Sequence, residues 1–534
     1  MLKKSLLLNL LAVLVGMGAL VLLEVTLYLA DAGPSSRLFL AFHRDGEVVY
    51  EVNPHVGHRF FQQQYRRPVP YNPSFLQKKP PDAVRIFVLG ASTLLGFPNP
   101  PNTAFPHFLA EMLADVYPDK RFEVINCGMT AINTFCLLDF AAEVVGYEPD
   151  LIILYAGHNE FVGPYGVTTP FRKFGNNRTW IRLYMELQRS RIYYFLSEAI
   201  YRLQKWWSPA EEKFGLHLVG REIGLLDEEH RVTAENYRDN LGEILLQARQ
   251  HGTPVLISTL VANLKDFYPL RSDCDGGDLS QELDGLVRQG RLQEAIDLCE
   301  EALDEAPYCA GIHFELGRLH YRRGEYSKAH KAFVYARDMD RLPFRAPAIF
   351  NQIIRKLAGT AEDQILLSDV EKVFAANSPH GIVGNELIAE YLHPTVYGHY
   401  LIARSMVEDL VQSSVGANWG VGDTGRLKNY EAYARQLGYS LWARVFYRND
   451  LILFLRNMPY REPPAVLRRY VAELMGRQIE DISQFDATQR RNFAEQKGMV
   501  FLFRMVDFLL PQDCRAIEEG LRNLTSGVES AQQH

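Results

Sequence analysis

The chain has 534 residues, 47% hydrophobic and 12% aromatic, which excludes a disordered or low-complexity protein and exceeds what one ordinary core organises. Lys+Arg 57 against Asp+Glu 64 leaves a net charge of -7 with no basic tract, so nucleic acid is not an expected partner.

Lys3 and Lys4 precede an almost unbroken apolar stretch over residues 5–30, interrupted by Asn9 and Glu24. A bilayer span needs about 20 residues, against about 7–15 for the apolar part of a cleaved signal. Residues 1–30 therefore read as a single-pass anchor, N-terminus inside, with the bulk of the chain periplasmic or extracellular. The other reading is a signal peptide cleaved at Ala30-Asp31-Ala32, which exports the remainder equally. Glu24 sits near the outer end, within reach of the interface or a partner helix. Residues 31–82, with Pro68, Pro70, Pro73, Pro80 and Pro81, read as an extended extracytoplasmic linker.

An α/β pattern begins at the apolar run 85–89, expected to be a buried parallel strand. Helix 104–117 follows, with Phe105, Phe108, Leu109, Met112, Leu113 and Val116 on one face. Strand 123–126, helix 133–145 and strand 150–155 come next. Helices over 172–222 should lie over the domain, and helix 233–251 leads into strand 255–259. The alternation indicates a parallel sheet covered on both faces.

The texture changes over 276–345. Gly290, Ala295, Ala302 and Pro307 return 34 residues later as Gly324, Ala329, Ala336 and Arg341, the period of a tetratricopeptide helix pair. Two copies are too few to stand alone, so the insert must lean on its neighbours, and it offers a surface to a protein partner. The first α/β part is thus 83–275 and the second 346–415, ending in helix 396–411. Residues 416–524 read as wholly helical and 525–534 as a disordered tail. The six cysteines show no CxxC spacing, and which of them pair is open. Cys127 reads as a buried small hydrophobe.

Four short segments carry the chemistry. Ser92, in Gly90-Ala91-Ser92, lies just past a strand, where parallel sheets present reacting groups. Gly128 follows the second strand, and a backbone N–H there can face a developing oxyanion. Asn159, in Gly157-His158-Asn159-Glu160, can donate its side-chain amide to the same point. His393, three residues after Glu390, would take the Ser92 proton while Glu390 holds its other ring nitrogen. His158 and His399 are rival bases without a carboxylate at such spacing. Lys265, Asp266, Arg271 and Arg345 are weaker candidates for pocket polar groups, Arg345 as a substrate contact. No HExxH or similar ligand set and no phosphate-binding loop implies a metal or nucleotide, so no cofactor is expected.

In that order these residues resemble the SGNH (GDSL-like) hydrolases, in the membrane-anchored bacterial form with tetratricopeptide repeats. Gly-Ala-Ser-Thr stands for the usual Gly-Asp-Ser-Leu, Gly-His-Asn-Glu for Gly-x-Asn-Asp, and Glu390-x-x-His393 for Asp-x-x-His. The resemblance implies a three-layer α/β/α parallel-sheet domain of flavodoxin-like order. It implies Ser92 as nucleophile, Ser92, Gly128 and Asn159 as the oxyanion hole, and His393 as base. The expected activity is hydrolysis of an ester on a small molecule, lipid or glycan of the cell envelope. Acyl transfer to an envelope glycan and a non-catalytic scaffold are the alternatives.

Overall fold

The computed structural model describes residues 2–61, 68–71, 73–169, 177–207, 221–272, 274, 277–359, 364–460, 463–496 and 498–531. Five parallel strands form the central sheet: β4 (Ala83–Gly90), β5 (Arg121–Asn126), β6 (Leu151–Tyr155), β7 (Val255–Ser258) and β8 (Ile365–Ser368), in the order β5-β4-β6-β7-β8. Buried on both faces, β4, β6 and β7 are the continuous apolar runs seen in the sequence. The chain crosses from one side of β4 to the other between β5 and β6. The carboxyl ends of β4 and β6, paired through Gly90 and Tyr155, therefore flank the switch point at which such sheets form their crevice.

Residues 31–82 are not a spacer. Before the sheet come α1 (Leu2–Leu29) and an antiparallel sheet of β1 (Phe39–Arg44), β2 (Glu47–Val52) and β3 (Ser74–Leu76). Leu38, Phe39, Val52, Phe60 and Phe75 join the main hydrophobic core. Arg59, itself buried, pairs with Asp139 and Glu143 and fastens this segment to the next layer. The strands of this sheet are short, three to six residues, and the prolines that suggested a spacer (Pro68, Pro70, Pro73, Pro80 and Pro81) all lie outside them.

On the sheet pack α2 (Phe105–Val116) and α3 (Thr134–Val144). Then come α4 (Arg178–Arg189), α5 (Arg191–Trp207) and α6 (Glu228–Gln250). The repeat insert is α7 (Gly277–Arg288), α8 (Leu292–Glu305), α9 (Ala310–Arg322) and α10 (Tyr326–Asp338), and α11 (Ala348–Ala358), α12 (Val370–Ala376) and α13 (Val396–Val411) complete the domain. One helical layer is built on α2 with α13, the other on α3, α6 and α11, giving the three-layer α/β/α arrangement.

The insert is two helical hairpins. Gly317 is required there because a Cβ would lie 2.7 Å from the Phe333 ring. Phe314, Ala329, Phe333 and Ala336 pack with Leu264 and Ile382 of the α/β domain, so the insert does lean on it. Cys274 and Cys309 form a disulfide, and Cys127, Cys136 and Cys299 are buried thiols.

The C-terminal region is α14 (Ser414–Ala417), α15 (Tyr430–Gln436), α16 (Leu441–Arg456), α17 (Ala465–Ser483), α18 (Ala487–Glu495), α19 (Gly498–Met505) and α20 (Pro511–Ala531). α20 extends into the segment expected to be disordered; only 532–534 fall outside the described residues there. Leu451, Leu455, Leu467 and Tyr470 share a core with Ala389, Tyr391 and Leu392, the loop that carries His393.

At the other end, α1 contains Asn9–Leu29, which is long and apolar enough to cross a bilayer. Glu24 does meet a partner helix. Its carboxylate accepts from Ser190 Oγ (2.8 Å), Arg191 N (2.7 Å) and Ile192 N (3.0 Å), binding the start of α5. Arg191 returns the contact by donating to the carbonyls of Leu27 (2.9 Å) and Ala32 (2.8 Å).

Candidate active site

Ser92 opens a 3-10 turn, Ser92–Leu95, directly after β4. A turn's first N–H has no acceptor inside the turn, which leaves the Ser92 N–H without an intra-turn partner. Gly128, after β5, abuts this turn: a Cβ there would lie 2.6 Å from Leu94 Cβ and 3.3 Å from Ala91 O. Gly90 faces the same crowding, since a Cβ on it would meet Tyr155 O at 2.4 Å. Glycine at both positions lets the strand ends close around the serine.

The imidazole arrives from 301 positions away. Residues 387–395 form a tight loop closed by Ala389 N to His393 O (2.8 Å) and Thr395 N to Leu387 O (2.9 Å). Thr395 then caps α13 through its hydroxyl, which accepts from Gly398 N at 3.1 Å. Within the loop, Glu390 is wholly buried. Its Oε1 accepts from His393 N (2.8 Å) and Leu392 N (3.4 Å) and bonds His393 Nδ1, while Oε2 accepts from Tyr391 N. With Nδ1–H held, Nε2 is left as an acceptor, and it lies 2.7 Å from Ser92 Oγ. Ser92, His393 and Glu390 are thus joined by hydrogen bonds. The geometry is that of a hydroxyl primed by an oriented base, capable of nucleophilic attack on a carbonyl carbon.

Asn159 lies on the loop leaving β6. Its Nδ2 donates one hydrogen to Ile132 O (3.0 Å), which orients the amide and leaves the second N–H unused by that bond. The Gly128 N–H is not free as expected: it donates to Asn126 Oδ1 at 2.9 Å, in an Asx turn that also joins Asn126 Nδ2 to Leu94 O (2.7 Å).

Arg345, the candidate substrate contact, is deeply buried. Only 2% exposed, it donates to Asn263 O (2.9 Å), faces Asp340 at 3.7 Å and lies over the Tyr391 ring. It supports the histidine loop from behind. Lys265 is held by Asp266 and Glu386 and is equally structural.

Both rival histidines are backbone acceptors. His158 Nδ1 accepts from Ala346 N (3.1 Å) and His399 Nδ1 from Phe105 N (3.3 Å). Burial, and then the neighbouring His393, pushes each pKa down to about 3, so both are neutral near pH 7.

Two aromatic side chains were not found from sequence. The Phe97 ring centre lies 4.9 Å from that of His393, and Phe454 of α16 packs 5.1 Å from Phe97 and 6.4 Å from His393. Tyr470 Oη of α17 donates to Ala389 O at 2.9 Å. The C-terminal region therefore walls and braces the site, and no local pattern in its sequence signals this. Residues 93–103, which follow Ser92, are mostly buried, with Pro101 and Asn102 exposed. Among the described residues, no group of three or more His, Cys, Asp or Glu is arranged to hold a metal.

Glu160, next to Asn159, is buried and accepts from Thr134 N (2.9 Å) and Oγ1 (2.7 Å) at the start of α3. Burial pushes its pKa up from 4.5 to about 7, against those hydrogen bonds. Between these values the folded protein keeps a proton that the unfolded chain has released. Stability should therefore fall as pH rises from about 4.5 to 7, by about 3 kcal/mol from this group. Urea unfolding at pH 5 and pH 8 should show that loss, and Glu160→Gln should reduce it. An identical difference in the variant would remove Glu160 as its source.

Residues 286–334 match the tetratricopeptide repeat family. No curated protein matches the chain. Among solved structures, the chain is similar to an acetylxylan esterase from Geobacillus stearothermophilus at 12% identity and a TM-score of 0.28, covering 63% of this chain and 95% of that one. It is also similar to a two-domain esterase active on acetylated mannans, at 12% identity and a TM-score of 0.23, covering 64% and 50%. At such scores these likenesses carry no argument. The functional reading rests on the site.

Proposed function

We propose that the chain is an SGNH-type serine esterase, tethered by α1 with its bulk outside the cytoplasm and acting through an acyl-enzyme on an ester of the cell envelope. The observation that carries this reading is the Glu390–His393–Ser92 relay, with Nε2 at 2.7 Å from Oγ. Ser92 Oγ attacks the ester carbonyl carbon as its proton passes to His393 Nε2, and the carbonyl π pair moves onto oxygen. The Ser92 N–H and the second Asn159 N–H receive that oxyanion. Gly128 adds its N–H only by giving up or sharing Asn126 Oδ1. Collapse of the intermediate expels the alkoxide, which takes the proton from Nε2. Water then repeats the sequence on the acyl-enzyme, releasing the acid and restoring the serine. The Cys274–Cys309 disulfide supports the extracytoplasmic placement.

A fluorophosphonate probe should label Ser92 in the wild type and leave Ser92→Ala unlabelled. The wild type should also release p-nitrophenol from a short acyl ester. A folded protein inert to both reagents would favour the scaffold reading instead.

A second reading is transfer of the acyl group to an envelope glycan, whose hydroxyl would meet the same acyl-enzyme as water, beside a wall of Phe97 and Phe454 rings packed edge-on against the imidazole. Product analysis with an added glycan acceptor separates the two: free acid alone means hydrolysis, and acylated glycan means transfer.

A further inference from the structure

Helices α4 and α5 carry large apolar side chains that point into solvent. On α5, Leu196, Ile200, Leu203, Trp206 and Trp207 are exposed, the two tryptophans at 76% and 79%. At about 100° per residue these positions, with Phe195, fall within about 140° of one another. Ser197, Glu198, Arg202 and Lys205 occupy the opposite side. On α4, Trp180, Leu183 and Leu187 form a second exposed ridge at spacings of three and four. A surface of this size and composition is not left to water without a reason.

The start of α5 is fixed in height. Glu24, which binds Arg191 N and Ile192 N, lies five residues before Leu29 in the apolar stretch of α1, about 8 Å along the helix. Wherever α1 leaves the apolar core of a bilayer, the first turn of α5 lies within about 8 Å of that edge. A helix that begins there with one apolar face and two terminal tryptophans matches an interfacial segment. Charge is a smaller contributor: Arg202 pairs with Glu198, and Arg178 and Arg182 share the single carboxylate of Glu243, which leaves one of these three positive charges uncompensated.

We propose that the exposed faces of α4 and α5 lie in the outer interface of the membrane that α1 crosses, a second, in-plane contact that fixes how the catalytic domain stands on the bilayer. This rests on the reading of α1 as an anchor. A tether alone leaves a domain free to tumble above the surface, whereas α5 adds a contact about 25 Å long.

The test uses the full chain in nanodiscs of phosphatidylcholine, with and without bromine on the acyl chains. Tryptophan fluorescence should fall by at least about a third in brominated discs, as Trp180, Trp206 and Trp207 enter the interface. Trp419 and Trp442, on the body of the protein, should be unaffected. The quenching should vanish in Trp180→Phe/Trp206→Phe/Trp207→Phe. In Leu196→Glu/Leu203→Glu, which leaves all five tryptophans in place, it should fall by more than half while the protein stays with the disc. Co-migration without quenching, with the tryptophans open to aqueous iodide, would overturn the proposal and leave the anchor standing; the face would then be one for a protein partner. Failure of the intact chain to stay with the disc would overturn both.

Discussion

Glu390→Gln is expected to lower kcat/KM for ester hydrolysis by about 10³–10⁴-fold, the range set by loss of the carboxylate in such relays. Oε1 of Glu390 serves His393 Nδ1 and two backbone N–H groups, and Oε2 serves Tyr391 N. An amide cannot do both. If its oxygen stays on His393, its NH₂ faces the Tyr391 N–H, donor against donor. If it turns over, its NH₂ donates to Nδ1, the ring proton moves to Nε2, and the nitrogen facing Ser92 can no longer accept. Steady-state rates on a short acyl ester, with fluorophosphonate labelling of Ser92 as a second measure, would check this. A loss of less than tenfold in both would mean that Glu390 only shapes its loop.

The second large effect is expected from Gly128→Ala. Its new Cβ would lie 2.6 Å from Leu94 Cβ, an atom anchored to the backbone two residues after the nucleophile. Relief requires the Ser92 turn or the end of β5 to shift. A displacement near 1 Å is enough to cost about 10²-fold in rate, with an overpacking penalty of about 1–3 kcal/mol in stability. Labelling of Ser92 should slow in parallel while the far-ultraviolet circular dichroism stays that of the wild type. Labelling within threefold of the wild type would show that the turn does not depend on this approach.

The histidine loop is braced by chain that lies outside it on three other segments. Tyr391 donates to Tyr268 O (2.9 Å), Arg345 lies over the Tyr391 ring, and Tyr470 reaches in from α17. The loop is held from three sides, by the strand-following loop after β7, the segment leaving the insert, and the C-terminal helices. None of these supports lies near Ser92 or His393 in the chain.

The amino-acid sequence determined what depends on local pattern. Continuous apolar runs located β4 and β6, the 3.6-residue period located α2, and a 34-residue recurrence located the repeat pair. The carboxylate three residues before His393 and the serine after β4 were legible because each role needs one residue type at one spacing. Other elements were missed. The edge strand β8 is no shorter than β7 but only partly buried, and the short strands β1 to β3 were overshadowed by the prolines that follow and flank them. Arg345 looks like a solvent-facing cation until its carbonyl partners are known, and the Gly128 N–H looks free until Asn126 turns back onto it. Phe454 and Tyr470 belong to an ordinary helical stretch. Only the folded chain brings them to the imidazole, since contact across hundreds of residues follows from how surfaces pack and not from any neighbouring sequence.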